Sequence, residues 1–174
     1  MDSGHLSSGL GLMVLRAAHM VRKGCTVEEI VKDLEKMKSR ISTSFIVPSA
    51  DALYRNGKLS YNVKKICDAF DLHMVLSIKK SKLVLSKIKG GNMKRAYMDY
   101  IRENFKGKKN IDTRLLFITY AGCSSRQVRE FKEEVAKYQK FETIVIQKAS
   151  ATISSNCGLG TMGVLYIKKG KDDL

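Results

Sequence analysis

The sequence has little of what marks most secreted modules and self-contained enzymes. Proline occurs once, at Pro48, and the four cysteines, Cys25, Cys67, Cys123 and Cys157, form no CxxC pair. With no histidine at metal-ligand spacing either, a disulfide framework and a zinc site are both disfavoured, and no metal ligand is assigned. His5, His19 and His73 fall in no motif. Apolar runs such as residues 115–118 and 144–146 stop far short of the roughly 20 residues a membrane-spanning helix needs. Residues 1–11 are small and polar rather than basic and then apolar, so no secretory leader is expected and the cytoplasm is the expected address. There is no G-x-S-x-G elbow, no H-E-x-x-H and no P-loop. No catalytic residue or cofactor is therefore assigned, and the chain is expected not to be an enzyme.

Against those absences stands a composition close to the globular average. The 174 residues are 44% apolar and 28% charged, enough for one ordinary domain or two small ones. Charge is the unusual quantity, at a formal +15. It is unevenly spread: residues 1–54 carry a net +1, residues 55–110 a net +11 and residues 111–174 a net +3. A field of that kind attracts phosphate, nucleic acid, anionic lipid or an acidic protein.

Residues 9–23 and 26–41 read as a helical hairpin, with Thr26 and Glu29 at capping-box spacing. Residues 44–47 are short and apolar enough for a strand that Pro48 ends. Residues 49–56 and 60–70 read as helices, and 73–78 and 83–88 as two strands around a Lys80-Ser81 turn. A helix capped by Asn92, a strand at 114–120, a helix from Ser125 and strands at 143–147 and 163–168 complete the pattern, with 150–162 left irregular. The order suggests an α+β fold, an open sheet with helices on one face. Charge and pattern both shift near residues 53–57, so residues 1–54 and 55–174 are expected to be separate units.

The string Gly158-Leu159-Gly160-Thr161-Met162-Gly163 is a literal GxGxxG, but it precedes a strand and opens no helix. A glycine turn with special backbone angles explains it better than a dinucleotide site. The lysines of 79–95 could line a nucleic-acid surface, yet Tyr97 and Tyr100 share a helix face with Met93 and Ile101 and are expected in the core.

Four stretches, in order, resemble the DegV family of bacterial fatty acid-binding proteins. Asp2-Ser3 followed by Ser8-Gly9-Leu10-Gly11 is similar to the family's D-S and S-x-G-x-G. Leu53-Tyr54-Arg55-Asn56-Gly57-Lys58-Leu59-Ser60 is similar to L-x-K-G-G-R-I-S. His73-Met74-Val75-Leu76-Ser77-Ile78 and Lys87-Ile88-Lys89-Gly90 stand where the family has K-P-I-L-x-I and a K-x-R-G-like turn. Ile153-Ser154-Ser155-Asn156-Cys157-Gly158-Leu159-Gly160 resembles I-G-x-H-x-G-P-G, with Asn156 in place of the histidine and Leu159 in place of the proline. Lys58 and Lys89 stand at arginine positions, which keeps charge but not the bidentate fork.

The resemblance implies a carrier that holds one long-chain fatty acid between two lobes and presents its carboxyl group to the catalytic subunit of a fatty acid kinase. It implies a DegV-like fold in which residues 1–54 are a remnant of the N-terminal lobe, the family's lobe beginning well before D-S, and residues 55–174 are the C-terminal lobe. The ligand-binding residues it points to are Lys58, Asn156, Cys157 and Gly158. Asn156 is expected in an irregular turn at the mouth of a partial pocket, its amide standing in for the imidazole as a neutral donor to the carboxylate. Lys89, Lys94 and Arg95 are the expected docking residues for the kinase or an anionic membrane surface. A homodimer is expected through a strand edge near residues 44–47. The alternative is a basic, non-catalytic interaction module that binds nucleic acid or an acidic protein.

Overall fold

Residues 41–47, Ile-Ser-Thr-Ser-Phe-Ile-Val, are rich in the β-branched and aromatic side chains that suit a pleated surface. In the computed structural model, which describes residues 1–170, they form β1 (Ile41–Val47), the strand about which the fold is organised. Residues 171–174, the end of the second expected unit, lie outside the described residues. β1 pairs antiparallel with β2 (Leu72–Lys79) on one side and with β6 (Thr161–Lys168) on the other. β3 (Lys82–Gly90) lies outside β2, and β4 (Ile111–Ala121) lies between β6 and β5 (Thr143–Lys148). Among the described residues only the β4–β5 pair is parallel.

This placement corrects the expectation that residues 44–47 form an open edge and a seam for a second copy. β1 is hydrogen-bonded along both sides, and the edges are β3 and β5. The physical reason is that the run is apolar on both faces: Ile41, Phe45 and Val47 bury to one side and Ile46 to the other. Such a strand needs cover on both faces, which a central position supplies. β1 comes from the first expected unit and its sheet neighbours from the second, so the sheet is continuous across residue 54.

Helices cover both faces, where one was expected. On one face α5 (Met93–Phe105) and α6 (Ser125–Tyr138) bring Tyr100, Phe105 and Phe131 onto Ile46, Leu116, Ile118 and Val164. Tyr97 and Tyr100 are buried there, as their helix face predicts. On the other face α1 (Ser8–Arg22) and α2 (Val27–Lys38) lie over Phe117 and Leu165. Beside them α3 (Asp51–Arg55), α4 (Tyr61–Ala69) and α7 (Ala151–Cys157) cover Phe45, Val47, Met74 and Leu76. β6 explains the two-sided cover, since Thr161 to Tyr166 are buried without alternation. The architecture is α+β.

Local chemistry fixes the joints. Thr26 accepts from the Glu29 amide and the Glu29 carboxylate accepts from the Thr26 amide, opening α2 with a complete capping box. Lys80 and Ser81 both take positive φ, at 48° and 60°, which matches the twist of the β2–β3 hairpin. Among the described residues no helix is long and apolar enough to cross a membrane.

Candidate functional site

α7 occupies part of the stretch expected to be irregular. Ser150 caps it by accepting from the Ile153 amide. Seven residues with large apolar side chains only at Ile153 and Cys157 leave too short a stripe for periodicity to register. Asn156 therefore sits in the last helical turn. Its Nδ2 donates to the Thr152 carbonyl at 2.8 Å, and its Oδ1 accepts from Lys58 Nζ at 3.1 Å. Gly158 then leaves the helix at φ 84°, and its position leaves only 3.3 Å between an added Cβ and the Ala52 side chain.

Lys58 reaches α7 because α3 is tied to it. Asn56 Nδ2 donates to Ala52 O at 2.7 Å and to Ser155 O at 3.1 Å, bridging the end of α3 to α7. Gly57 turns the chain at φ 65° just before Lys58. Cys157 points inward, buried among Phe45, Leu53 and Cys67. Burial pushes its thiol up, and the nearby Lys58 charge offsets part of that. Four residues named from sequence thus converge: Lys58 and Asn156 in contact at the surface, Cys157 beneath them and Gly158 at the turn.

Cys157 also belongs to the wall of a cleft between the N-terminus of α1 and α7. The cleft is narrow, with about 30 Å³ of free space inside it. Leu6, Phe45, Ile153 and Leu165 make it apolar, and Ser7, Thr43, Thr119 and Thr161 also line it, adding almost no polar surface. Those four residues were not singled out in the sequence. Part of the signal was in Ser8-Gly9. Ser8 Oγ lies 2.7 Å from Thr119 Oγ1 and donates to Gln147 Oε1 at 3.0 Å, fastening α1 over β4 and β5. At Gly9 a Cβ would come within 2.7 Å of Thr43 Oγ1, so glycine lets α1 approach β1. Thr161 Oγ1 donates to the Cys157 carbonyl at 3.0 Å.

The three expected docking residues do not form one patch. Lys89, on β3, pairs with Glu103 near the end of α5, and Lys87 joins it at 2.8 Å. Glu103 is held below the usual carboxylate range; its partial burial opposes this, and the two ammoniums outweigh it. Lys94 pairs with Glu130 of α6 at 3.2 Å, and Arg95 lies 3.9 Å from Asp99. Glu103 is nine residues beyond Lys94, about 14 Å along the helix at a rise of roughly 1.5 Å per residue.

Comparison with known proteins fits this arrangement. The family model described as "Uncharacterised protein, DegV family" matches residues 1–169. A DegV domain-containing protein of Clostridium perfringens is 24% identical over 164 residues, which cover 94% of this chain and 56% of the relative. The chain thus spans about half the length of that relative. Among solved structures, a fatty acid-binding DegV family protein from Thermus thermophilus superposes with a TM-score of 0.77 at 25% identity, over 97% of this chain and 60% of that one. The Streptococcus pneumoniae fatty acid kinase (Fak) B3 protein, loaded with linoleic acid, superposes with a TM-score of 0.76 at 17% identity, over 96% of this chain and 58% of that one.

Proposed function

The chain belongs to the DegV family, and from that premise we propose that it serves fatty acid carriage: the cleft between α1 and α7 takes part of an acyl chain, and Lys58 faces the carboxyl group. The observation that carries this reading is the position of Cys157. It lines the apolar cleft and immediately follows Asn156, which is bonded to Lys58, so an apolar wall and a cation adjoin. That is the pairing an acyl carboxylate needs. Burying the chain contributes roughly 0.8 kcal/mol per methylene, and the head group needs a charged donor to replace lost water.

In this reading the protein carries the acid without transforming it, and a fatty acid kinase acts on the presented carboxyl group. Lys94 and Arg95, at the exposed start of α5, are proposed as the docking cations for the acidic surface of that kinase. Both the fatty acid-binding Thermus relative and the linoleate-loaded Streptococcus protein lend support.

Native mass spectrometry after gentle extraction tests the proposal. One co-purified acyl chain per protein, or saturable uptake of added linoleic acid, is the expected result. Protein that carries no lipid and takes up none, yet binds nucleic acid in a salt-sensitive way, would replace this reading with that of a basic interaction module.

A further inference from the structure

α5 and α6 run the same way along one face of the sheet. Lys94 meets Glu130 near their starts, and Phe105 meets Phe141, just beyond the end of α6, with ring centres 5.7 Å apart. Their buried stripes, Tyr100, Ile101 and Phe105 on one and Val128, Phe131 and Val135 on the other, belong to the core over the sheet. Between the first turns a groove remains, with about 250 Å³ of free space. Its apolar floor is the partly buried Met93 and Met98 with Tyr97, and α6 meets it with Arg126, Gln127 and Glu130.

The groove stays open because its walls are engaged elsewhere. Gln127 closes a capping box with Ser124, and Arg126 Nε donates to Glu130 at 2.9 Å, so neither side chain folds in to fill the space. Tyr97 is fixed as well, its ring edge-on to Phe131 at 5.9 Å and its hydroxyl donating to the Gly160 carbonyl.

The charges around the groove are layered. Glu130 also lies 3.2 Å from Lys94 Nζ, and Asp99 pairs with Arg102 at 2.6 Å and lies 3.9 Å from Arg95. The two carboxylates are the sheltered members, at 28% and 26% exposure, whereas Lys94, Arg95 and Arg126 stand out at 70% to 78%. A partner arriving from solvent therefore meets cations first. Neither helix has an acidic residue in its first turn, the position the positive end of a helix favours for one. Lys94 and Arg95 stand there in α5 and Arg126 in α6, so the sequence keeps this end positive against the local preference of both helices.

An apolar floor under a cationic rim is complementary to an acidic amphipathic helix, with its apolar stripe on Met93 and Met98 and its carboxylates on Lys94, Arg95 and Arg126. Methionine suits such a floor, because its unbranched, polarisable side chain repacks to the shape laid on it. Nucleic acid fits less well, since Tyr97 is buried and offers no open face to a base. A membrane surface calls for apolar side chains that project, and these are recessed.

We propose that this groove docks an acidic amphipathic helix of a protein partner, the fatty acid kinase of the carriage reading. The inference rests on that reading and adds an apolar anchor to it: the cations steer the encounter, and the methionine floor holds the complex.

Association and dissociation rates of a purified fatty acid kinase on the immobilised protein, with linoleic acid present, separate the two parts. Met98→Ala is expected to speed dissociation about tenfold at low and high salt alike, with the association rate within about twofold of the parent. Met98→Leu keeps the volume and should stay near the parent. Lys94→Gln should do the opposite, slowing association at low salt only. Urea denaturation checks the fold of Met98→Ala, and should it be impaired, Met93→Ala at the first position of α5 gives the same test. A kinase that binds the parent and leaves Met98→Ala and Met93→Ala no faster overturns the groove while charge-steered docking stands. A kinase that binds no form of the protein overturns both, and binding of DNA or of phosphatidylglycerol vesicles in its place would assign the cations to that ligand.

Discussion

Lys58 Nζ donates to the side-chain oxygen of Asn156 across 3.1 Å, joining two positions 98 residues apart in the chain. The bond sets the direction of the amide. With Oδ1 turned to Lys58 and Nδ2 donating to Thr152 O, Asn156 is a bracket between α7 and the α3–α4 loop. In the proposed carriage of a fatty acid, Lys58 is the cationic donor of this pair and Asn156 the residue that holds it. Nor does Asn156 need an irregular backbone, since it lies inside α7.

Replacing Asn156 with histidine turns this geometry into a measurement. An imidazole beside an ammonium is disfavoured in its charged form, so it is expected to protonate below its ordinary value of about 6.5. Acyl affinity of Asn156→His should then rise only in more acidic solution, while the parent shows no such step. Adding Lys58→Met should move the titration back up. Imidazole chemical shifts followed by NMR report both, and a ring that titrates the same with and without Lys58 would show the two side chains are not neighbours.

Gly9 and Gly11 lie two residues apart in α1 and are expected to respond oppositely to alanine. An exposed-helix Gly→Ala change gains about 1 kcal/mol of helix stability. At Gly11 a Cβ meets nothing within 4 Å, so Gly11→Ala should stabilise by up to that amount. At Gly9 it meets Thr43 Oγ1 at 2.7 Å, and overpacking of that kind costs about 1–3 kcal/mol. Gly9→Ala should therefore be destabilising on balance, and Thr43→Ala should recover part of the loss. Urea denaturation decides; equal effects at the two glycines would mean α1 does not press on β1.

The acid limb of stability should depend on the Arg16–Asp33 pair. Asp33 is depressed chiefly by its bond to Arg16, so its contribution is fully present above the unfolded value of about 3.9 and is lost as pH falls through the folded value. Both side chains are about one-third exposed, which limits the contribution to roughly 1 kcal/mol or less. Denaturant midpoints of the parent and Asp33→Asn should differ at pH 6 and converge as pH falls through the folded value of Asp33. A difference independent of pH would assign the effect to packing.

Much of this fold was legible in the sequence because its signals are local. The capping box at Thr26, the Lys80-Ser81 turn and the apolar face carrying Tyr97 and Tyr100 each fall within a few residues of one another. Strand order was not legible, because the neighbours of β1 are set by β2 and β6, the latter more than 110 residues away. A short apolar strand looks the same at an edge and at a centre until its partners are known. The site divides the same way. Gly158 and Cys157 could be named from their motif, whereas the Ser8–Thr119 contact joins residues 111 apart and has no signature in either segment.

The three docking cations should separate under charge reversal, because the fold engages them to different degrees. Lys89 has a side chain only 13% exposed and is shared with Lys87 on Glu103, so Lys89→Glu sets two carboxylates against each other in a half-covered place. It should destabilise the protein by about 1–3 kcal/mol, and any loss of partner binding would then be confounded with loss of fold. Arg95 is 78% exposed and lies 3.9 Å from Asp99, so Arg95→Glu should stay within about 0.5 kcal/mol of the parent. Lys94 lies between these cases; Lys94→Gln removes its bond to Glu130 while Arg126 keeps that carboxylate paired at 2.9 Å. Docking is thus best tested with Lys94→Gln and Arg95→Glu together, measured as the association rate with a fatty acid kinase at low salt. A slower rate whose deficit shrinks as salt is added is expected, since rim charges act mainly on encounter. A rate unchanged at low salt would remove the start of α5 from the docking surface and leave its charges as solvated ion pairs.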